Sequence, residues 1–424
     1  MPVRVVVGAN WGDEGKGRMV DYFARDADFV VRYQGGSNAG HTIVNDYGTF
    51  KLRLVPSGIF YSDVTNVIGP GTVVNIEVLA NEINHLSSRG ITISPQNLRI
   101  SDRATLCFPF HMLQDRYEEE RLGGDLFGST LQGIAPAYGD RFMKYGIQVG
   151  ALLDPRFLSD QLHRSLEMKN LVLVNAYHKP AVGVDEVLEW ISKFSTMLIP
   201  HICDTLALLS DAAKEGKSML LEAQLGALRD VYYGIYPYTT SSSPLAGFAY
   251  VGAGLFSNVT PKVTAVVKAF STCVGGGPFV TELKPEDAEP FRKRTGEYGA
   301  ATGRPRRIGH FDAVATRYGV RIQNASEVAL TKLDNLSGEG NLRICTQYSI
   351  AGRLVQDFPL VQELRTATPV YTELPGWQGD ISSVRRYSDL PEAARHYVEV
   401  IEELIKVPVK YVSVGPERDA LISR

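Results

Sequence analysis

The stretch WGDEGKG, residues 11–17, sets Asp13, Glu14 and Lys16 among Gly12, Gly15 and Gly17. A glycine turn of this kind bares backbone N–H groups, and if a helix follows it adds a positive dipole end; both suit a phosphate. The turn is not a Walker loop, which needs glycine at position 10 and serine or threonine at position 17, where this chain has Asn10 and Gly17. Asp13 and Glu14 would repel an anion unless a cation or a proton transfer accompanies it. The chemistry on offer is therefore acid–base work beside a phosphate. Trp11 is costly to leave in an exposed turn, which argues against a bare surface loop.

Three further stretches carry reactive groups. VRYQGGSNAGHTIV, residues 31–44, threads Gln34, Ser37, Asn38 and one imidazole, His41, among Gly35, Gly36 and Gly40, and an imidazole there is placed for proton transfer. EVALTKLDN, residues 327–335, ends a strand in Thr-Lys-x-Asp. Such an end suits guanine, because one carboxylate accepts from N1–H and the 2-amino group while a lysine stem covers the ring. ATGRPRRIGHFD, residues 301–312, brings Arg304, Arg306 and Arg307 beside Gly303, forks that bind carboxylate or phosphate in pairs of hydrogen bonds. Taken singly, each also has a plainer reading: a structural histidine, a charged pair at a strand end, a solvated basic turn.

The elements that must position these groups show in the hydrophobic pattern. VRVVV (3–7), FVVRY (29–33) and NVIG (66–69) read as strands, with helices over 16–25 and 75–86 between and after them. That rhythm is βαβ, hence an α/β fold on a mainly parallel central sheet flanked by helices. Further strands are expected at 218–223, 327–334, 342–348 and 410–415, and helices at 184–196, 202–215, 260–270 and 390–405. The stretches 231–259 and 271–310 read as long glycine-rich loops, where function tends to reside. A chain of 424 residues suits two or three domains, although one large α/β sheet also reaches this size.

Composition excludes several classes. With 44 basic against 47 acidic side chains and a net charge of −3, no global field recruits nucleic acid or an anionic membrane. Cys107, Cys203, Cys273 and Cys345 form no C-x-x-C pair, and no run of 18 apolar residues occurs; a reducing, cytoplasmic setting is expected.

Read together, these stretches resemble the adenylosuccinate synthetase family, in order across nearly the whole chain. The matching pieces are WGDEGKG, VVRYQGGSNAGHT, PSGI (56–59), QGIAPAY (132–138), YPYTTSS (236–242), GGGPFVTEL (275–283), ATGRPRRIGHFDAVATRYGVRI (301–322), LTKLDNLSG (330–338), PGW (375–377) and SVGP (413–416). The resemblance implies one ligase domain over 1–424 that joins IMP to L-aspartate at the expense of GTP, with Mg²⁺, in a homodimer. It implies that Asp13 takes the N1 proton of the purine and helps hold the metal together with the Gly40 carbonyl. It further implies that His41 donates to the phosphoryl group, while Lys16 and Gly12, Gly15, Gly17 and Thr42 cradle phosphate. Arg306 would lie toward GTP, and Lys332, Asp334, Ser413 and Gly415 would hold guanine. Asn38, Thr130, Thr240 and Arg304 would contact IMP, Thr302 and Arg304 the substrate aspartate, and Lys144 would reach the neighbouring subunit's IMP site.

The chain departs from the family's pattern at several of these places. Where the family reads E-G-A-Q-G, this chain has Glu222-Ala223-Gln224-Leu225-Gly226, so Leu225 stands for a purine-contacting glutamine unless Gln224 serves by a one-residue shift. Lys144 stands for an arginine, Arg141 for a lysine, Cys273 for an arginine, Ala301 for a threonine, Pro305 for an arginine, His310 for a tryptophan, and Leu131-Gln132 for Gly-Arg. Two alternatives follow: a paralogue using another 6-oxopurine nucleotide, a guanine or C-nucleoside analogue, or a GTP-binding module without turnover.

Overall fold

The strand Val3–Gly8 lies inside a ten-stranded sheet, with Met219–Glu222 on one side and Lys262–Lys268 on the other. A computed structural model of the protein describes residues 2–299 and 303–424. From one edge the strand order is Leu421–Ser423, Val409–Ser413, Glu327–Thr331, Lys262–Lys268, Val3–Gly8, Met219–Glu222, Phe29–Arg32, Thr65–Ile68, Leu98–Ser101 and Ile202–Cys203. Every neighbouring pair is parallel except the last strand, Leu421–Ser423, which runs antiparallel to Val409–Ser413.

Burial on both faces explains the unbroken apolar runs. Val5, Val7, Val31, Leu221, Val267 and Leu330 join one core cluster, while Val6, Val30, Leu220, Val266 and Ala329 pack on the other face against Met19 and Val20 of the helix Lys16–Ala24. Polar caps set where helices begin. Asn75 accepts from Val78 N ahead of Ile76–Ser88, Asp204 from Leu206 N and Ala207 N ahead of Thr205–Lys214, and Asp312 from Ala315 N ahead of Ala313–Ile322.

Two expectations are corrected. Residues 260–270 form the central strand Lys262–Lys268, not a helix; KVTAVVK is a short β-branched run whose apolar spacing imitates a helix, and burial between two strands decides it. The strand expected at 342–348 is present as Asn341–Ile350, in a separate four-stranded sheet where it pairs with Thr368–Pro375 and Arg353–Val355 antiparallel and with Phe311–Asp312 parallel. The stretch 271–310 is no simple loop, since it contains the strands Ser271–Cys273 and Arg307–Gly309 and the helix Pro285–Thr295.

Register then gathers the reactive stretches. Gly8 aligns with Val266, Val6 with Glu222, Glu222 with Arg32, and Lys268 with Thr331. The loops leaving these carboxyl ends carry residues 9–15, 33–40, 223–230 and 332–336. Open parallel sheets bind their ligands at this edge.

Candidate active site

The two adjacent carboxylates of the opening turn do different things. Glu14 is buried; its Oε1 accepts from Asn10 N at 3.1 Å and Gly12 N at 2.8 Å, and its Oε2 accepts from Lys16 Nζ at 2.6 Å. Its charge is spent on shaping the turn. Asp13, held at φ 60°, lines a cavity of about 720 Å³ and accepts from Arg306 Nε at 2.7 Å. Burial pushes the Asp13 carboxyl up, but Arg306, Lys268 and Lys16 together hold it below the usual value. Asp13 is thus an ionised base with access to the cavity.

The second motif supplies a paired imidazole. His41 opens the hairpin strand His41–Asn45, and its Nδ1 lies 2.5 Å from Glu222 Oε1. Glu222, at the end of its strand, also accepts from Ser57 Oγ at 2.6 Å and Ser57 N at 2.8 Å. Burial pulls the His41 value down; Glu222 raises it, while Arg32 and Lys16 lower it further. A neutral His41 donates its Nδ1–H to the Glu222 carboxylate, which leaves Nε2 as the nitrogen that gains or loses a proton. Gly17 permits this contact, because a Cβ there would sit 2.7 Å from the Cβ of His41.

Gly12, Asn38, Gly40, Thr130, Leu225 and Thr240 share the cavity wall with Asp13. Gln224 is committed beneath it: its Nε2 donates to Asn38 Oδ1, and its Oε1 accepts from Gly36 N at 2.9 Å and Arg32 Nη2 at 3.2 Å. Leu225, at φ 61°, is the residue of this pair that lines the cavity. Arg304 Nη1 donates to Ser129 O at 3.1 Å, next to Thr130. Thr302 and Ala301 lie outside the described residues.

The stretch expected to bind guanine sits apart from this cavity. Lys332, at φ 60° after its strand, donates from Nζ to Glu297 Oε1 at 2.5 Å. Burial raises the Asp334 carboxyl, against Lys332 and Arg18, which lower it. Ser413 Oγ donates to Gly415 O at 3.1 Å, and Arg18 braces the same turn through Pro416 O, Glu417 O and Ala420 O. Thr42 is exposed on the hairpin, and the ammonium of Lys16 is engaged by Glu14. Lys144 caps the helix Ile134–Met143 at φ 68°, exposed beside Phe142, and does not reach the cavity of its own chain.

Several participants escaped the sequence reading. Glu222, Glu297 and Lys268 are buried and charged at strand or helix ends, a pattern common to purely structural pairs. Arg229 is another: it lines the cavity, donating to Tyr238 O at 2.5 Å, Val274 O at 2.5 Å, Gly276 O at 3.1 Å and Cys273 Sγ at 3.0 Å. A guanidinium therefore lies against Cys273, the position where the resemblance leads one to expect an arginine. His310 packs edge-on to Tyr371, with ring centroids 5.1 Å apart.

Comparison with known proteins finds relatives over the whole chain. The sequence model of the family described as adenylosuccinate synthetase matches residues 5–422. The chain is 44% identical over 423 residues to an adenylosuccinate synthetase of Caldanaerobacter subterraneus subsp. tengcongensis, covering 100% of this chain and 99% of that one. To the adenylosuccinate synthetase of Frankia alni it is 47% identical over 420 residues, covering 99% and 98%. In three dimensions it is similar to the fully ligated adenylosuccinate synthetase of Plasmodium falciparum, with a TM-score of 0.94 and 30% identity over 100% of both chains.

Proposed function

The chain belongs to the adenylosuccinate synthetase family, and from that premise we propose how its own residues carry the reaction. The enzyme is a GTP-dependent carbon–nitrogen ligase of purine nucleotide biosynthesis that joins IMP and L-aspartate. Asp13 removes the N1 proton of IMP, and the electrons released make the 6-oxygen attack the γ-phosphorus of GTP, expelling GDP. The aspartate amine then adds at C6, phosphate leaves with the 6-oxygen, and the surplus amine proton is lost, giving adenylosuccinate. His41, oriented by Glu222 at Nδ1, takes up a proton at Nε2 when the triphosphate is bound and donates from it to the phosphoryl oxygens.

The observation that carries this reading is the division of labour between neighbours: Glu14 is consumed by Asn10, Gly12 and Lys16, whereas Asp13 meets the cavity as an ionised group. The donor set also fits Mg²⁺. The Asp13 carboxylate and the Gly40 carbonyl are hard oxygens in one cavity wall, and this ion takes few protein ligands beside water and phosphate. When bound, it would neutralise charge between the carboxylate and the phosphoryl oxygens.

Around this centre we assign Asn38, Thr130, Thr240, Leu225 and Arg304 to IMP, and Thr302 with Arg304 to aspartate. Lys16, Gly12, Gly15, Gly17, Gly40, Thr42 and Arg306 serve the phosphates, and Lys332, Asp334, Ser413 and Gly415 serve guanine. Gln224 acts on IMP only through Asn38. We take residues 1–424 as one ligase unit, active as a cytoplasmic homodimer in which Lys144 serves the neighbouring IMP site. No described helix is long and apolar enough to cross a membrane. The test is phosphate release from GTP: it should require both IMP and aspartate, whereas tight GTP binding without that dependence would mark a nucleotide-binding module instead.

A further inference from the structure

One fully buried carboxylate gathers three cations from three parts of the chain. Glu297 Oε2 accepts from Lys268 Nζ at 2.8 Å and Arg306 Nη1 at 2.7 Å, and its Oε1 accepts from Lys332 Nζ at 2.5 Å. Lys268 ends the central strand Lys262–Lys268, Lys332 follows the neighbouring strand Glu327–Thr331, and Arg306 precedes Arg307–Gly309. Lys268 is tied further by Thr272 Oγ1 at 2.8 Å, and the backbone of Arg306 donates to Glu297 O at 3.0 Å. The side chains of Glu297 and Lys268 are 0% and 3% exposed, those of Arg306 and Lys332 9% and 33%. Lys268 and Glu297 thus form a buried base from which two less buried cations reach outward.

Those two cations belong to different parts of the GTP site proposed above. Arg306 uses Nη1 for Glu297 and Nε for Asp13, so one guanidinium bridges the hub to the proposed base. Lys332 lies two residues before Asp334 in the stretch read as guanine-binding. With its ammonium on Glu297, its methylene stem is tethered at both ends.

We propose that Glu297 is a positioning residue that couples the guanine end of the GTP site to Asp13. It anchors the Lys332 stem and keeps Arg306 in reach of the phosphates when Asp13 turns from Arg306 to substrate. Removing either cation changes how the shared carboxylate holds the other, so the two ends do not act independently. Glu297 touches no substrate in this account, and it rests on the functional reading above.

A double-mutant cycle tests it. The ratio kcat/KM for GTP is measured for Lys332→Met, Arg306→Met and the pair, in the wild-type background and in Glu297→Gln. We expect the wild-type-background pair to lose about tenfold less than the product of the single losses, and the Glu297→Gln series to multiply within about twofold. Multiplicative losses in the wild-type background, or unchanged coupling with glutamine at 297, would overturn the proposal. Should Glu297→Gln fail to fold, the wild-type cycle still decides whether the ends are coupled, and Glu297→Asp, which keeps the charge at a shorter reach, supplies the second background. A wild-type enzyme without IMP- and aspartate-dependent phosphate release would instead overturn the functional reading and this proposal with it, an outcome distinct from active enzyme without coupling.

Discussion

Nδ1 of His41 and Oε1 of Glu222 are 2.5 Å apart, both buried, with Ser57 completing the carboxylate's shell. Burial opposes the charge on Glu222, and His41, Arg32 and Ser57 together hold its carboxyl below the usual range. The ion is kept for one purpose: it fixes the tautomer and direction of the imidazole, as a carboxylate does for any oriented base.

Glu222→Gln should therefore lower kcat by roughly 100-fold while the KM values for GTP and IMP move by less than about threefold. Steady-state phosphate release with a melting curve as control checks this. Wild-type kcat in a folded variant would show that His41 needs no such partner.

Gly17→Ala sets two effects against each other. Alanine in a helix is worth about 1 kcal/mol over glycine, yet the new methyl would lie 2.7 Å from the Cβ and 3.3 Å from the Cα of His41, so the hairpin must shift. A displacement near 1 Å at a reacting group costs on the order of 100-fold in rate. We expect a fall in kcat of that size with no gain in melting temperature; a more stable variant at full rate would contradict the contact.

How much of this was legible beforehand follows a physical line. Val3–Gly8 and its parallel neighbours announced themselves because burial on both faces demands unbroken apolar runs. Lys262–Lys268 did not, since a seven-residue β-branched run is ambiguous until its neighbours are known. Asp13, His41 and Lys332 stood out through glycine and strand-end context. Glu222, Glu297 and Arg229 did not, because their roles come from partners 181, 35 and 44 positions away in sequence, a closeness that only the sheet register creates. Asp13 and Glu14 looked equivalent as letters, and only the turn's hydrogen bonds separate them.

Acid sensitivity should arise partly from His111. Phe108 N donates to its Nδ1 at 2.9 Å, so the Nε2 proton goes to Asp140 Oδ2, 2.9 Å away. Protonation would break the first bond, and burial holds the group below its ordinary 6.5, with Lys169 in support and Asp140 opposing. The unfolded chain then binds more protons than the folded one as pH falls through 6.5, so stability is lost on that side and kept above it. The drop in melting temperature between pH 7.5 and 5.5 should be smaller in His111→Gln than in the wild type; equal drops would remove His111 from the account.

Lys144→Ala should raise the KM for IMP by about tenfold with kcat nearly unchanged, the scale of one charge-assisted hydrogen bond. Steady-state titration of IMP is sufficient, and an unaltered KM would reject the placement of Lys144 at a neighbouring site.

The central claim is that Asp13, alone of the two adjacent carboxylates, removes the purine proton. Its most direct measurement pairs GTP binding by equilibrium dialysis with phosphate release in the presence of IMP and aspartate, for wild type and Asp13→Asn. The account predicts GTP affinity within a few-fold of wild type and turnover reduced by at least about 1,000-fold. Asp13→Asn releasing phosphate at the wild-type rate would contradict it.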